Sequence, residues 1–136
     1  MISIFNVFKK KPIERIQTHR EIGNLYELRA QKYFLDLGWE YIEKNFYSRL
    51  GEIDLIFWDK DKTLVFVEVR YRASSMYGIA QATVSQKKQE KIIKTAMIYL
   101  KDKKMIGNNI RFDVIALSPQ QIEHIPNAFS AEGYLI

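Results

Sequence analysis

The sequence predicts one mixed α/β domain in which helices pack against a central sheet. Two apolar, strand-like runs at 53–58 and 64–69 are joined by the polar tetrad Asp59-Lys60-Asp61-Lys62, which reads as a hairpin connection. Two stretches, 20–37 and 85–101, carry apolar residues at helical spacing. A further strand-like run, 111–117, follows the break at Gly107-Asn108-Asn109. With a first strand at 41–47, the order is helix, three strands, helix, strand, which is an α/β or mixed α+β arrangement.

Each element has its own signal. In the first helix Leu25, Leu28, Tyr33, Phe34 and Leu37 supply the apolar positions, and Gly38 is a plausible stop. A turn is expected at 48–51 between the first two strands. The second helix carries Ile92, Ile93, Ala96, Met97 and Leu100 as its apolar stripe. Beyond Pro119 a short strand and a tail are expected. Residues 1–17, closed by Lys9-Lys10-Lys11 and Pro12, read as a basic tail, 18–130 as the folded domain, and 131–136 as a second tail.

The 136 residues suffice for one domain with a real core, and 47% hydrophobic against 27% charged residues excludes wholesale disorder. Lys and Arg number 21 against 16 acids, a net charge of +5 that suits a polyanionic partner without requiring one. The chain has no cysteine, which excludes disulfides, thiolate zinc sites and cysteine nucleophiles. With two histidines, any metal would be held mainly by oxygen, and Mg2+ or Mn2+ is the expected ion. The apolar start at 1–8 is short and its basic run follows it, the reverse of a secretory signal, and no stretch reaches membrane-span length. The cytoplasm is the expected compartment, with no membrane partner.

Strand alternation puts Glu52, Asp54 and Ile56 on one face of the second strand and Leu64, Phe66, Glu68 and Arg70 on one face of the third. Pairing the two strands brings Asp54 and Glu68 together at one end of the sheet. Adjacent carboxylates in apolar strands repel and lose solvation unless a cation lies between them, and a divalent ion resolves that conflict. A lone strand acid is more often paired with a base or left in water; the pair followed by Arg70 shifts the balance toward a metal site. Glu27 lines up with Gly23, Ala30 and Phe34 beside the inward face of the first helix, although a surface acid at the edge of the stripe reads equally well. Lys88 opens the buried side of the second helix and can reach over the sheet. Lys87, Lys91 and Lys94 form a solvated stripe that could also grip phosphates. Tyr71, Arg72 and Tyr77 are candidates for backbone contact or base stacking, against the plainer alternative of core or rim packing for the aromatics. Arg111 and Asp113 share a strand face, where a structural ion pair is the simpler explanation, and Glu52 stays ambiguous.

Gly23, Glu27, Ala30, Asn45, the run Gly51-Glu52-Ile53-Asp54-Leu55-Ile56, the run 65–72, Tyr77-Gly78, Lys88, Arg111-Phe112-Asp113-Val114 and Asn127-Ala128-Phe129 together resemble the YraN-like family of small bacterial proteins. The resemblance covers about residues 20–130. That family is similar to the PD-(D/E)XK, restriction-endonuclease-like nucleases, close in architecture to Holliday-junction resolvases. The resemblance implies a core of helix, three strands, helix and strand. It also implies phosphodiester hydrolysis in nucleic acid, DNA being the expected form, by Glu27, Asp54, Glu68 and the residue at position 70. Asp54 and Glu68 would ligate Mg2+ or Mn2+, with Glu27 as a further ligand or supporting acid, and Lys88 would orient water. A homodimer follows only by analogy with junction-cutting relatives of the fold.

One position departs from the pattern: the superfamily has lysine where this chain has Arg70. Arginine stays protonated and cannot act as a base, but its fork can hold a phosphate oxygen. A non-catalytic nucleic-acid-binding module therefore stands as the alternative, and a protein-partner adaptor using an exposed segment at 124–129 as a third.

Overall fold

The computed structural model describes residues 18–72 and 84–132. The expected tail at 1–17, Tyr77, and residues 133–136 lie outside the described residues.

Helix α1 spans His19–Asp36. Thr18 caps it: its side chain accepts from the Glu21 N–H at 3.2 Å, while the Glu21 carboxylate accepts from the Thr18 N–H at 3.0 Å. This reciprocal box satisfies two of the donors that a helix start leaves orphaned. The helix ends at Gly38, whose φ of 84° suits a residue without a Cβ. Only Ala30 and Phe34 of α1 are buried. Leu25, Leu28 and Leu37, which the spacing assigns to the apolar stripe, are instead exposed by 47%, 54% and 39%. A leucine-rich helix need not turn every leucine inward; here the narrow contact of α1 with the sheet seats one small and one aromatic residue.

Strands β1 (Glu40–Ser48), β2 (Gly51–Trp58) and β3 (Leu64–Tyr71) form an antiparallel meander. The tetrad between β2 and β3 turns as expected, because Asp59 Oδ1 accepts from the N–H groups of Asp61 and Thr63. Helix α2 (Gln86–Asp102), capped by Ser85, carries the chain to β4 (Ile110–Leu117). Strand β4 pairs with β3 in parallel, an arrangement that requires a long crossover, and β5 (Ile122–Phe129) closes the sheet in the order β1-β2-β3-β4-β5.

The two helices cover opposite faces. Ile92, Ile93, Ala96, Tyr99 and Leu100 of α2 pack on Ile53, Ile56, Leu64, Phe66, Phe112 and Val114. Ala30 and Phe34 of α1 pack on Leu55, Phe57, Val65, Val67, Ile115 and Leu117. Each fully buried Phe, Leu, Ile or Val contributes roughly 1.5–3 kcal/mol, so both layers are needed for stability.

Two details depart from the expected pattern. Alternation in β2 fails at Asp54: Ile53 and Ile56 both join the α2 layer, while Leu55 joins the α1 layer. Level with Asp54, between the pairs Lys44↔Leu55 and Phe46↔Ile53, Asn45 of β1 has a φ of 52°. Asn tolerates this left-handed conformation, and the local twist it introduces accompanies the change of face. The second departure is β5, a full eight-residue strand. Asp113 holds it, accepting from the Asn127 N–H at 2.9 Å and contacting His124 Nε2 at 2.7 Å. Pro126 is tolerated because β5 is an edge strand. Ala131, placed by the sequence in a tail, packs in the α2-side core. No helix among the described residues is long and apolar enough to cross a membrane.

Candidate active site

The β2–β3 ladder runs from Trp58↔Leu64 to Leu55↔Val67, and Asp54 and Glu68 are the next residues on each strand. There the side chain takes over from the main chain. Asp54 Oδ2 accepts a hydrogen bond from the Val69 N–H at 2.8 Å. Glu68 is buried, only 5% exposed, and its Oε1 lies 3.2 Å from Lys88 Nζ and 3.8 Å from Arg70 Nη1. Lys88 occupies the first turn of α2, where its N–H is held by the Ser85 cap at 3.2 Å. The cap thus fixes the point from which the ammonium reaches over the sheet. On the α1 side, the Glu27 side chain hydrogen-bonds Asn45 and lies within the fields of Glu52, Lys44 and Glu68.

The electrostatics are those of an acidic site short of positive charge. Burial, reinforced by the neighbouring charge of Glu68, pushes the Asp54 carboxyl up to about 8. Burial also raises Glu27; the Asn45 hydrogen bond lowers it, and the charge of Glu52 pushes it up again. Lys88 and Arg70 lean on the same oxygen of Glu68, so neither cation is directed at Asp54. Hard carboxylate oxygens in this state fit a divalent cation. Among the described residues no three Asp, Glu, His or Cys side chains form a ready metal cage. Mg2+ does not need one, because it is commonly held by one or two carboxylates and keeps several waters.

Glu27, Asp54, Glu68, Arg70 and Lys88 therefore come together around one end of the sheet, as the sequence anticipates. Lys87, Lys91 and Lys94 are exposed along α2. Arg72 is exposed, and its N–H extends the sheet by donating to the Leu117 carbonyl at 2.8 Å. Tyr71 is 37% exposed and lies against Tyr26. Arg111 and Asp113 form the expected ion pair, at 2.8 and 3.0 Å, and Arg111 also reaches Asp59 at 3.1 Å. The segment at 124–129 lies in the edge strand β5: His124 is enclosed by Tyr33, Phe34 and Trp39 and Phe129 is buried, while Pro126 and Asn127 are exposed. Asn45 is prominent in the sequence only through the family resemblance, because nothing in strand periodicity marks an asparagine that bonds a helix carboxylate. Tyr26 and Arg29 carry no signal at all beyond their place beside Glu27.

Fold and site together define a small α/β domain with a carboxylate–lysine cluster at one end of a five-stranded mixed sheet. Residues 26–117 match the family described as "Uncharacterised protein family UPF0102", and the chain belongs to that family. A UPF0102 protein of Aliivibrio salmonicida is 44% identical over 124 residues, covering 88% of this chain and 96% of its own. One from a Sulfurihydrogenibium species is 39% identical over 110 residues, covering 81% and 95%. A repair endonuclease from Pyrococcus abyssi aligns over 75% of this chain and 38% of its own, at 20% identity and a TM-score of 0.41.

Proposed function

We propose that the protein is a nuclease that hydrolyses phosphodiester bonds in nucleic acid, DNA being the expected substrate, with Mg2+ or Mn2+ as cofactor. The observation that carries this reading is the adjacency of Asp54 and Glu68 at the end of the β2–β3 ladder, with Lys88 Nζ 3.2 Å from Glu68. Asp54 and Glu68 would hold the metal, with Glu27 as a further ligand or a supporting acid. When bound, the ion supplies charge neutralisation at the scissile phosphate and lowers the pKa of a coordinated water.

The remaining roles belong to the chain itself. In hydrolysis a water oxygen bonds to phosphorus, a P–O bond of the backbone breaks, and the departing oxygen gains a proton. Arg70 stays protonated throughout and steadies the charge that develops on the phosphate oxygens. Lys88, anchored on Glu68, orients the attacking water. The exposed Lys87 and Lys91 follow the substrate backbone.

The test is cleavage of end-labelled linear, flap and four-way-junction DNA in Mg2+, Mn2+ or EDTA. Metal-dependent products on at least one substrate support the nuclease. Salt-dependent binding without products on any of them favours the second reading, a nucleic-acid-binding module, for which Arg70 in place of lysine is the specific argument.

A further inference from the structure

A cavity of about 440 Å³ opens between α1 and the ends of β3 and β4, lined by Ile22, Leu25, Tyr26, Arg29, Tyr71 and Pro119. Its volume lies within the roughly 300–1,000 Å³ typical of small-ligand pockets. Two features give it a chemistry. The rings of Tyr26 and Tyr71 meet face against face, with centroids 4.1 Å apart and planes tilted by 32°, and this stack walls the cavity with Tyr71 as its more exposed ring. The Arg29 guanidinium sits over Tyr26 at 5.3 Å and is pinned by donating to the Ser118 carbonyl at 2.8 Å. Among the described residues Arg29 has no carboxylate partner in an ion pair. An exposed aromatic face next to a fixed cation that no described carboxylate neutralises suits a ligand that is itself a planar ring carrying an anionic group.

The wall is joined to the candidate active site by the chain. Tyr26 precedes Glu27 on α1, and Tyr71 follows Arg70 on β3. One strand alternation sends Arg70 toward Glu68 and Tyr71 toward α1, so a single strand end serves both sites. A nucleotide bound here would lie on the α1 face, across the end of β3 from Arg70 and Glu68.

We infer that the Tyr26–Tyr71–Arg29 pocket receives an unpaired nucleobase of a bound strand, and that the nucleic acid the protein prefers therefore contains a single-stranded segment. The inference rests on nucleic acid being the ligand, as proposed above, but not on hydrolysis. A paired base has both faces covered by its neighbours in the stack, so it cannot enter an aromatic pocket without leaving the helix. An unpaired base can, and stacking on an aromatic side chain is sequence-tolerant.

The experiment uses the full chain in EDTA, so that cleavage plays no part. Its probes are a blunt duplex and the same duplex with a single-stranded overhang carrying 2-aminopurine at successive unpaired positions. Wild-type protein should quench the fluorophore at one or two overhang positions and bind the overhang substrate more tightly than the duplex. Tyr71→Leu, which keeps apolar bulk but removes the aromatic face, should lose the quenching and weaken overhang binding by on the order of ten-fold, with duplex binding unchanged. Tyr71→Phe, which keeps the face and guards against a folding artefact, should behave as wild type. Equal overhang and duplex affinity in all three proteins, or quenching that survives in Tyr71→Leu, overturns the pocket. Quenching retained in a protein that never cuts DNA in Mg2+ defeats the nuclease and leaves the pocket standing. Failure to bind either probe overturns both.

Discussion

The Asp54 carboxylate accepts the Val69 N–H at 2.8 Å, just beyond the Leu55↔Val67 pair that ends the β2–β3 ladder. The strand end is thereby closed by a side chain, and the price is a carboxylate confined next to buried Glu68. Holding two acids together without a cation destabilises the fold, and that instability is measurable without any knowledge of the substrate.

Asp54→Asn keeps an acceptor for Val69 but removes the charge. The folded protein holds the Asp54 proton to about 8, whereas the unfolded chain releases it near the ordinary 3.8. With more protons bound in the folded state, stability falls as pH rises between those values. In EDTA, Asp54→Asn is expected to melt higher than wild type, by on the order of a few degrees, with the gap widening from pH 5 to pH 8. Thermal melts across that range check it; a constant or inverted gap contradicts the charge conflict.

Asp113 should behave in the opposite sense. Burial pushes its carboxyl up, but His124, Arg111 and the Asn127 N–H together hold it below the ordinary 3.8. Its contribution is therefore complete above that value and is lost as pH falls through the folded pKa. Asp113→Asn leaves Arg111 without its main partner and loosens β5. A loss of about 3 kcal/mol at neutral pH is expected in urea denaturation, shrinking in strongly acidic buffer.

Arg70 and Lys88 share Glu68 Oε1 but are not interchangeable. Lys88→Met should lower cleavage about 100-fold or more while leaving Mn2+ binding undiminished, because it removes a competing cation from a ligand oxygen. Arg70→Lys should retain cleavage and Arg70→Ala lose it. Single-turnover kinetics, with Mn2+ affinity read by electron paramagnetic resonance, separate the two effects.

The lysines of α2 are exposed, and under the proposed function their contribution is charge. Replacing Lys87 and Lys91 together by glutamine should reduce the slope of log affinity against log salt by about 2 units if each neutralises one phosphate of a duplex. Filter binding at several salt concentrations measures that slope. An unchanged slope would mark the stripe as mere solvated surface.

Much of this was legible in the sequence because local signals agreed with the fold. The runs at 53–58 and 64–69, the polar tetrad and the stripe of α2 each fix an element on their own, and alternation alone brings Glu68 and Arg70 to one face. What escaped depends on tertiary partners. The exposed leucines of α1 have helical spacing but no facing layer, and the short strand expected beyond Pro119 reaches eight residues, its backbone held by Asp113 of the neighbouring strand. The change of face in β2 lies level with Asn45, whose φ is 52°, across a strand pair, and no pattern within β2 announces it. The aromatic pocket likewise arises only when Tyr26 and Tyr71, distant in the chain, meet.

The most direct test of the central claim is single-turnover cleavage of labelled DNA in Mn2+ by wild type, Asp54→Asn and Glu68→Gln, with binding measured on the same preparations. The account predicts cleavage by wild type, loss of at least about 100-fold in each variant, and unimpaired DNA binding. Cleavage that persists in both variants, or wild-type protein that binds every substrate and cuts none, would contradict it.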